Sequence, residues 1–423
     1  MSTHPRICAR YFIETAFPLE QAAETMAGEQ STGTFLRVPG ETEALRERFA
    51  AQVELIEEGE AVAAPSLPGA GTPKNWDGIR RTGEVTLSWP LENIGPSLPN
   101  LLATVAGNLS ELKAFSGLKL LDLELPSEFL SRYRGPQFGV SGTRALTGVY
   151  ERPLIGTIVK PSIGMDPETT AAQVAVLAES GIDFIKDDEL QTDGAHCSFT
   201  ARVSAVMRVL REFAERTGKN VMYAPNLTGE IDEMLRRHDH VVAEGGLCVM
   251  VSMNSIGLPA MKVLRAHAQV PIHGHRNGWG MLGRSPALGM SFVAFSKLWR
   301  LAGIDHTHVN GLRNKFCEND ESVIASARSC LTPMFSAPLP GCEVMPVFSS
   351  GQSARQAPDT YKALGCTDLI YACGGGIMGH PRGPAAGVRS LQQAWQAAAE
   401  GVPLAEFASR HQELAQALEL FGA

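Results

Sequence analysis

The chain has 423 residues, 44% hydrophobic and 19% charged, with 37 Lys and Arg against 45 Asp and Glu for a net charge of −8. This supports a sizeable core and excludes disorder and low complexity, and an acidic chain without a long basic run is a poor match for nucleic acid or an anionic membrane. The eight cysteines (Cys8, Cys197, Cys248, Cys317, Cys330, Cys342, Cys366, Cys373) form no C-x-x-C pair, no signal peptide or bilayer-length apolar run is evident, and a cytoplasmic protein with reduced thiols is expected.

The first 150 or so residues mix an early strand (Ile7–Glu14), a helix (Pro18–Met26) and a strand-like piece at Gly83–Trp89. Ala63–Pro73, rich in Gly, Pro and Ala, predicts an exposed loop. From Leu154 onward the pattern changes to short apolar runs alternating with helical spacing. The runs are Leu154–Lys160, Ile182–Asp188, Asn220–Ala224, Leu247–Ser252, Pro271–Gly274, His306–Val309, Glu343–Phe348 and Asp368–Ala372. Between the second and third, Val203, Val206, Met207, Leu210, Phe213 and Ala214 recur at helical spacing, and Gly218 reads as the stop. Before the sixth, Ser285-Pro286 predicts an N-cap with a first-turn proline, and Gly303 closes that helix. After the eighth, Val388, Leu391, Trp395 and Ala398 share one face. Eight strand–helix units with nearly all-apolar strands predict a closed parallel (β/α)8 barrel over 148–423, preceded by a small α+β domain over 1–147. An open doubly wound sheet is the alternative.

In such a barrel the chemistry lies where the strands end. Strand one leads to Lys160, strand two to Lys186-Asp187-Asp188-Glu189 and strand three to Asn226. Strand five leads to His273, His275 and Arg276, strand six to His306 and His308, strand seven to Ser349 and Ser350, and strand eight to Gly374-Gly375-Gly376. Lys186 and Asp188, two apart on a strand, share a side, while Asp187 points the other way and reads as structural. Asp188 and Glu189 are hard ligands suited to Mg²⁺. A lysine beside them fits if CO2 converts Lys186 to a carbamate, a third oxygen ligand; the plain alternative is a Lys–Asp pair at a strand end. Arg276 and His308 suit a phosphate or a substrate oxygen, although buried structural histidines are equally compatible with the pattern. The glycine triplet is either a phosphate cradle or a tight turn.

Together, Gly156-Thr157-Ile158-Val159-Lys160-Pro161, Gly181-Ile182-Asp183-Phe184-Ile185-Lys186-Asp187-Asp188-Glu189, His275-Arg276, Asp305-His306-Thr307-His308 and Gly374 to Pro381 resemble the RuBisCO large-subunit superfamily. Glu29 to Thr34 and Gly107-Asn108 resemble its two N-terminal active-site segments. The resemblance implies a ferredoxin-like domain on a (β/α)8 barrel, and a homodimer whose active sites pair one barrel with the partner's N-terminal domain. It implies Mg²⁺ held by carbamylated Lys186, Asp188 and Glu189, with Lys160 as acid/base and His275 on the substrate hydroxyls. It further implies one phosphate on Arg276 and His308, a hydroxyl on Ser349, the other phosphate at Thr34, Gly351, Gly374 and Gly375, with Asn108 nearby, and Lys315 on a mobile loop.

The sequence departs from the family's carboxylases, which read Lys-Pro-Lys where this chain has Lys160-Pro161-Ser162. Phe35 replaces a tryptophan, Ser349-Ser350-Gly351 replaces Ser-Gly-Gly, and the loop carrying Lys315 differs at most positions. The resemblance is therefore to a RuBisCO-like protein that forms an enediolate without fixing CO2. Retention of Lys160 and Lys315 favours decarboxylation or transcarboxylation of a branched β-keto sugar acid phosphate of the 3-oxo-isoapionate 4-phosphate type. The alternatives are 2,3-diketo-5-methylthiopentyl-1-phosphate enolase and methylthioribulose-phosphate isomerase chemistry. Outside this superfamily, the His273-x-His275 and His306-x-His308 pairs leave a zinc amidohydrolase reading open.

Overall fold

The computed structural model describes residues 5–33 and 38–422, which fall into two compact units. One unit comprises Met1–Arg134, Gly278–Leu301 and Met334–Pro340; the other comprises Gly135–Asn277, Ala302–Pro333 and Gly341–Ala423. The described residues contain thirteen strands. In chain order they are β1 (Arg6–Thr15), β2 (Gln52–Glu58), β3 (Arg81–Pro90), β4 (Phe115–Glu124), β5 (Leu154–Ile158), β6 (Phe184–Lys186) and β7 (Met222–Ala224). They continue with β8 (Val249–Ser252), β9 (Ile272–His275), β10 (Leu288–Met290), β11 (His306–His308), β12 (Met345–Phe348) and β13 (Ile370–Ala372).

The first unit is built on a sheet of order β10-β4-β1-β3-β2. With helices Leu19–Glu29 and Leu98–Val105 in the connections, β1 to β4 form the β-α-β-β-α-β arrangement of ferredoxin-like domains. Residues Ile7, Ala9, Tyr11 and Ile13 alternate into the core along β1, the period-2 pattern of a strand with one buried face. Ala63–Pro73 is irregular, as expected, but Leu67 N–H and Gly71 N–H donate to Ser116 and Lys113 carbonyls and so fasten it to the start of β4. The helix expected from Ser285-Pro286 begins later, at Phe292, and ends before Gly303 at φ +114°. The intervening Leu288–Met290 pairs in parallel with Leu118–Leu120 as an edge strand, so tertiary pairing overrides a local N-cap signal.

The second unit is the parallel barrel. Its strand order, β7-β6-β5-β13-β12-β11-β9-β8, is that of eight consecutive strands around a cylinder, and a single bridge between Asn226 and Met250 joins the two ends. All eight sequence runs become barrel strands. Leu154, Phe184, Met222, Ala224, Cys248, Met250, Met345, Val347, Ile370 and Ala372 fill the interior. From β9 and β11 come His273 and His306 instead, whose rings lie 5.1 and 6.2 Å from that of Phe184. The helix Phe199–Thr217 buries the expected stripe and stops at Gly218, φ +71°.

At the start of β11, fully buried Asp305 gathers four donors: Phe138 N at 2.6 Å, Gly139 N at 2.9 Å, Ile272 N at 2.8 Å and Arg265 Nη1 at 2.8 Å. One carboxylate thus ties the helix Gly139–Thr147, β9 and the helix end carrying Arg265 to β11. Asp305→Ala strands a buried guanidinium and three main-chain N–H groups, so the urea unfolding free energy of the barrel should fall by about 3–5 kcal/mol.

Candidate active site

β6 is three residues long, and its alternation decides what faces the C-terminal mouth of the barrel. Asp187 turns away from Lys186 and Asp188. Its Oδ2 accepts from Arg202 Nη2 at 3.1 Å, Arg202 Nε at 3.2 Å and Asn226 N at 3.0 Å, and its Oδ1 accepts from the Tyr223 hydroxyl at 2.5 Å. Asp187 is therefore structural. Lys186 is buried; its ammonium donates to Asp187 O at 2.8 Å and lies 3.5 Å from Glu189 Oε2. Burial pulls the Lys186 pKa below that of a free lysine, against the opposing charges of Glu189 and Asp188, and so favours the uncharged amine.

Asp188 Oδ2 accepts from Lys160 Nζ at 2.5 Å, and Lys160 Nζ also donates to Ser162 Oγ at 2.8 Å. Burial works to raise the Asp188 carboxyl, but the Lys160 bond and the Leu190 N–H outweigh it and leave the group below its usual range. Glu189 likewise stays low despite burial, because His275 and Lys186 favour its charge. His275 Nε2 lies 3.5 Å from Glu189 Oε2. His275 Nδ1 lies within hydrogen-bond reach of both Asn277 Oδ1, at 3.1 Å, and Asn277 N–H, at 3.2 Å, so Asn277 holds the ring while Nε2 faces Glu189. Burial, reinforced by Lys186, holds His275 down to about 4.

On the neighbouring strands, His308 Nε2 meets His273 Nε2 at 2.8 Å and His308 Nδ1 meets Ser349 Oγ at 2.9 Å. Ser349 follows β12, and the chain then turns through Ser350 at φ +69° and Gly351 at φ +91°. Arg276, just past β9, is ion-paired with Glu318, a residue the sequence reading missed because nothing local marks an acid in the loop after β11. Gln173 was missed too: its amide brackets the Lys160 backbone, donating to Lys160 O at 2.5 Å and accepting from Lys160 N at 3.3 Å. Gly374 and Gly375 open a short helix, Gly374–Met378; a Cβ on Gly375 would meet nothing within 4 Å.

Lys160, Lys186, Asp188, Glu189 and His275 thus form one connected cluster, and Arg276, His308 and Ser349 line the adjoining strand ends. Lys315 lies apart from these contacts: its exposed side chain rests on the Phe316 ring, while its N–H donates to Ser350 O at 3.1 Å. In the first unit, the Gln30 amide, in the orientation that satisfies it, accepts from Asn108 N at 3.0 Å, which brings the two N-terminal segments together. Thr34 and Phe35 lie outside the described residues.

The histidine pairs do not form a zinc site. His306 Nε2 is taken by Thr143 Oγ1 at 2.6 Å, whereas His308 is taken by His273 and Ser349. A separate grouping, His238, Asp239 and His267, places ligand-type atoms within 4.8 Å of one another. There Gln269 N–H donates to His238 Nε2 at 3.1 Å, so Nδ1 carries the proton and donates to Asp239 at 3.0 Å. In that tautomer the ring offers Asp239 a hydrogen bond and no lone pair for a metal.

Burial holds His306 at about 4, against an ordinary 6.5, and holds His273 and His308 well below 6.5 as well. Between these values the unfolded chain binds protons that the folded chain refuses. The stabilisation is thus complete above pH 6.5 and lost as the pH falls toward 4. Unfolding free energies measured across that interval should decline on acidification. In His306→Asn, which keeps a partner for Thr143, the slope should be shallower by up to about 1.4 kcal/mol per pH unit.

Comparison with known proteins agrees with this geometry. Residues 139–421 match the ribulose bisphosphate carboxylase large chain catalytic domain, and residues 4–129 match the N-terminal domain of the same chain. A 3-oxo-isoapionate-4-phosphate transcarboxylase/hydrolase from Xanthobacter autotrophicus is 54% identical over 413 residues, covering 98% of both chains. A 3-oxo-isoapionate-4-phosphate decarboxylase from Rhizobium etli is 45% identical over 417 residues, again covering 98% of both. The crystal structure of a rubisco-like protein from Burkholderia fungorum superposes with a TM-score of 0.91 at 47% identity, covering 98% of this chain and 99% of that one. No helix among the described residues is long and apolar enough to cross a membrane. With both domains matched in order and the lysine–carboxylate cluster at the end of β6, the chain belongs to the ribulose bisphosphate carboxylase large-chain family, on its RuBisCO-like branch.

Proposed function

We propose that this chain removes or transfers the carboxyl group of a branched β-keto sugar acid monophosphate of the 3-oxo-isoapionate 4-phosphate type, and does not fix CO2. The observation that carries this reading is the buried Lys186 beside Asp188 and Glu189, with the Lys160 ammonium bonded to the same acidic group. The full-length relatives named for this substrate support it.

The residues fit a magnesium ion. Burial favours the uncharged Lys186 amine, which adds CO2 and releases a proton to become a carbamate, giving three oxygen donors with Asp188 and Glu189. Bound there, Mg²⁺ would supply Lewis-acid polarisation of the substrate's keto oxygen. The chain's own groups do the rest. His275, held through Nδ1 by Asn277, turns its Nε2 toward Glu189 and hydrogen-bonds a substrate oxygen there. When the bond between the carboxyl carbon and its neighbour breaks, the electron pair stays on the remaining carbon and CO2 departs. The Lys160 ammonium then protonates that carbon, and solvent restores the proton. Gln173 positions Lys160 through both backbone bonds. The single phosphate is held at the end of β13, in the open space before Gly374 and Gly375, with Gly351 contributing. Lys315 offers a cation to the departing carboxyl group on loop movement.

The family's assembly as a homodimer, with the N-terminal segment at Asn108 serving the partner's barrel, completes the reading. It is supported by a dimeric archaeal Rubisco from Hyperthermus butylicus, 29% identical over 99% of this chain, with a TM-score of 0.83. All eight cysteines are free thiols, in keeping with residence in the cytoplasm.

With Mg²⁺ and bicarbonate, purified protein should consume 3-oxo-isoapionate 4-phosphate, with product analysis and CO2 trapping separating release from transfer. Lys186→Met and Lys160→Met should each lower kcat by roughly 10²–10⁴-fold, and ¹³C-bicarbonate should give a protein-bound carbamate signal absent from Lys186→Met. Turnover unaffected by Lys186→Met would overturn the reading.

A further inference from the structure

The far end of the cluster carries an arrangement that the reaction does not use. Arg276 follows β9 and is buried, at the mouth position where His308 ends β11 and Ser349 follows β12. A buried guanidinium beside a histidine and a hydroxyl is an anion receptor. Here the anion is already supplied by the chain: Glu318 Oε2 pairs with Arg276 and also accepts from Asn310 Nδ2 at 2.6 Å, while Glu318 Oε1 accepts from Ser322 Oγ at 2.8 Å. Asn310 is itself fixed, since its Oδ1 accepts from Ser350 Oγ at 2.8 Å and its backbone holds φ +67°. Both carboxylate oxygens are therefore satisfied, and the carboxylate is a built part of this wall. The 2.8 Å contact between His273 Nε2 and His308 Nε2 requires one of the two nitrogens to be unprotonated, so the pair carries at most one charge, and burial works against that one.

We infer that Glu318 is a specificity-determining residue: its carboxylate occupies the anion position on Arg276, so this end of the site receives an uncharged, hydroxyl-bearing end of the substrate and rejects a second phosphate. A phosphate here must either lie against a carboxylate of like charge or displace one held by three donors, and both are costly in a desolvated wall. The inference rests on the sugar-phosphate reading above and adds to it the residue that restricts the substrate to one phosphate.

The test uses two unreactive probes of one carbon skeleton, D-arabinitol 1-phosphate and D-arabinitol 1,5-bisphosphate. Each is titrated calorimetrically into the full chain with Mg²⁺ and bicarbonate, as wild type and as Glu318→Gln, which keeps the shape and removes the charge. Wild type should bind the monophosphate more tightly. In Glu318→Gln the bisphosphate should gain roughly 10- to 100-fold in affinity while the monophosphate changes less than about twofold. Glu318→Asp, which keeps the charge, should retain the wild-type preference. A selectivity ratio unmoved by Glu318→Gln, or equal gains for both probes, sinks this inference and leaves the sugar-phosphate reading standing. If Glu318→Gln fails to fold, wild type alone decides, because a preference for the bisphosphate refutes the inference. Absence of binding by either probe to any protein overturns the inference and the sugar-phosphate reading together.

Discussion

The site depends on one buried ion pair that takes no part in the chemistry. A strand alternates its side chains, so placing Lys186 and Asp188 at the barrel mouth obliges Asp187 to point into the wall. A bare carboxylate there would be severely penalised. Arg202, fully buried on the helix Phe199–Thr217, answers it with two nitrogens, and Tyr223 from β7 and the Asn226 backbone add two further bonds. The same arginine donates to Thr192 O at 2.7 Å and Cys197 O at 3.1 Å, which sets the course of the chain that leaves Glu189. Such a pair contributes little net stability compared with an apolar replacement, but it fixes register. A slip of one residue would bury Lys186 and Asp188 in the wall and turn Asp187 to the mouth.

This arrangement explains why so much was legible before the structure. The barrel strands were readable because parallel strands buried on both faces are continuous apolar runs, and the lysine and its carboxylates are adjacent in sequence, so one short segment carries the candidate metal site. The structural role of Asp187 followed from the same alternation. What could not be read is what depends on contacts between distant segments. Leu288–Met290 is too short to announce itself as a strand and exists because Leu118–Leu120 offers an edge. Glu318 reaches Arg276 across forty-two positions of sequence, from a loop whose composition is unremarkable. Gln173 faces outward in sequence terms, on a helix turn, yet holds the backbone of Lys160.

The histidines illustrate the same division. His-x-His spacing on β9 and β11 left both a zinc site and buried structural histidines open, and strand alternation places each pair on one side. Depth along the barrel separates their members. His273 and His306 lie in the interior against Phe184, where apolar side chains fill the other strands, whereas His275 reaches the acidic cluster and His308 reaches Ser349. Spacing identifies the side of a strand, and only the fold supplies the height.

Charge at the mouth then constrains what the site can hold. Asp188 and Glu189 contribute two negative charges and Lys160 one positive; burial works against the charge on Lys186, and conversion to a carbamate would add a third negative group. The net charge of that cluster would be −2, which a divalent cation balances without help from another residue. Ser162 fits this balance. Where the family's carboxylases carry a second lysine, a hydroxyl accepts from Lys160 at 2.8 Å, steadying that ammonium without adding another. Farther along the mouth, Glu318 cancels Arg276. Arg276 is thus matched within the chain by Glu318, whereas the acidic cluster would call for a cation, so the two ends of the mouth differ in the charge they leave unmatched.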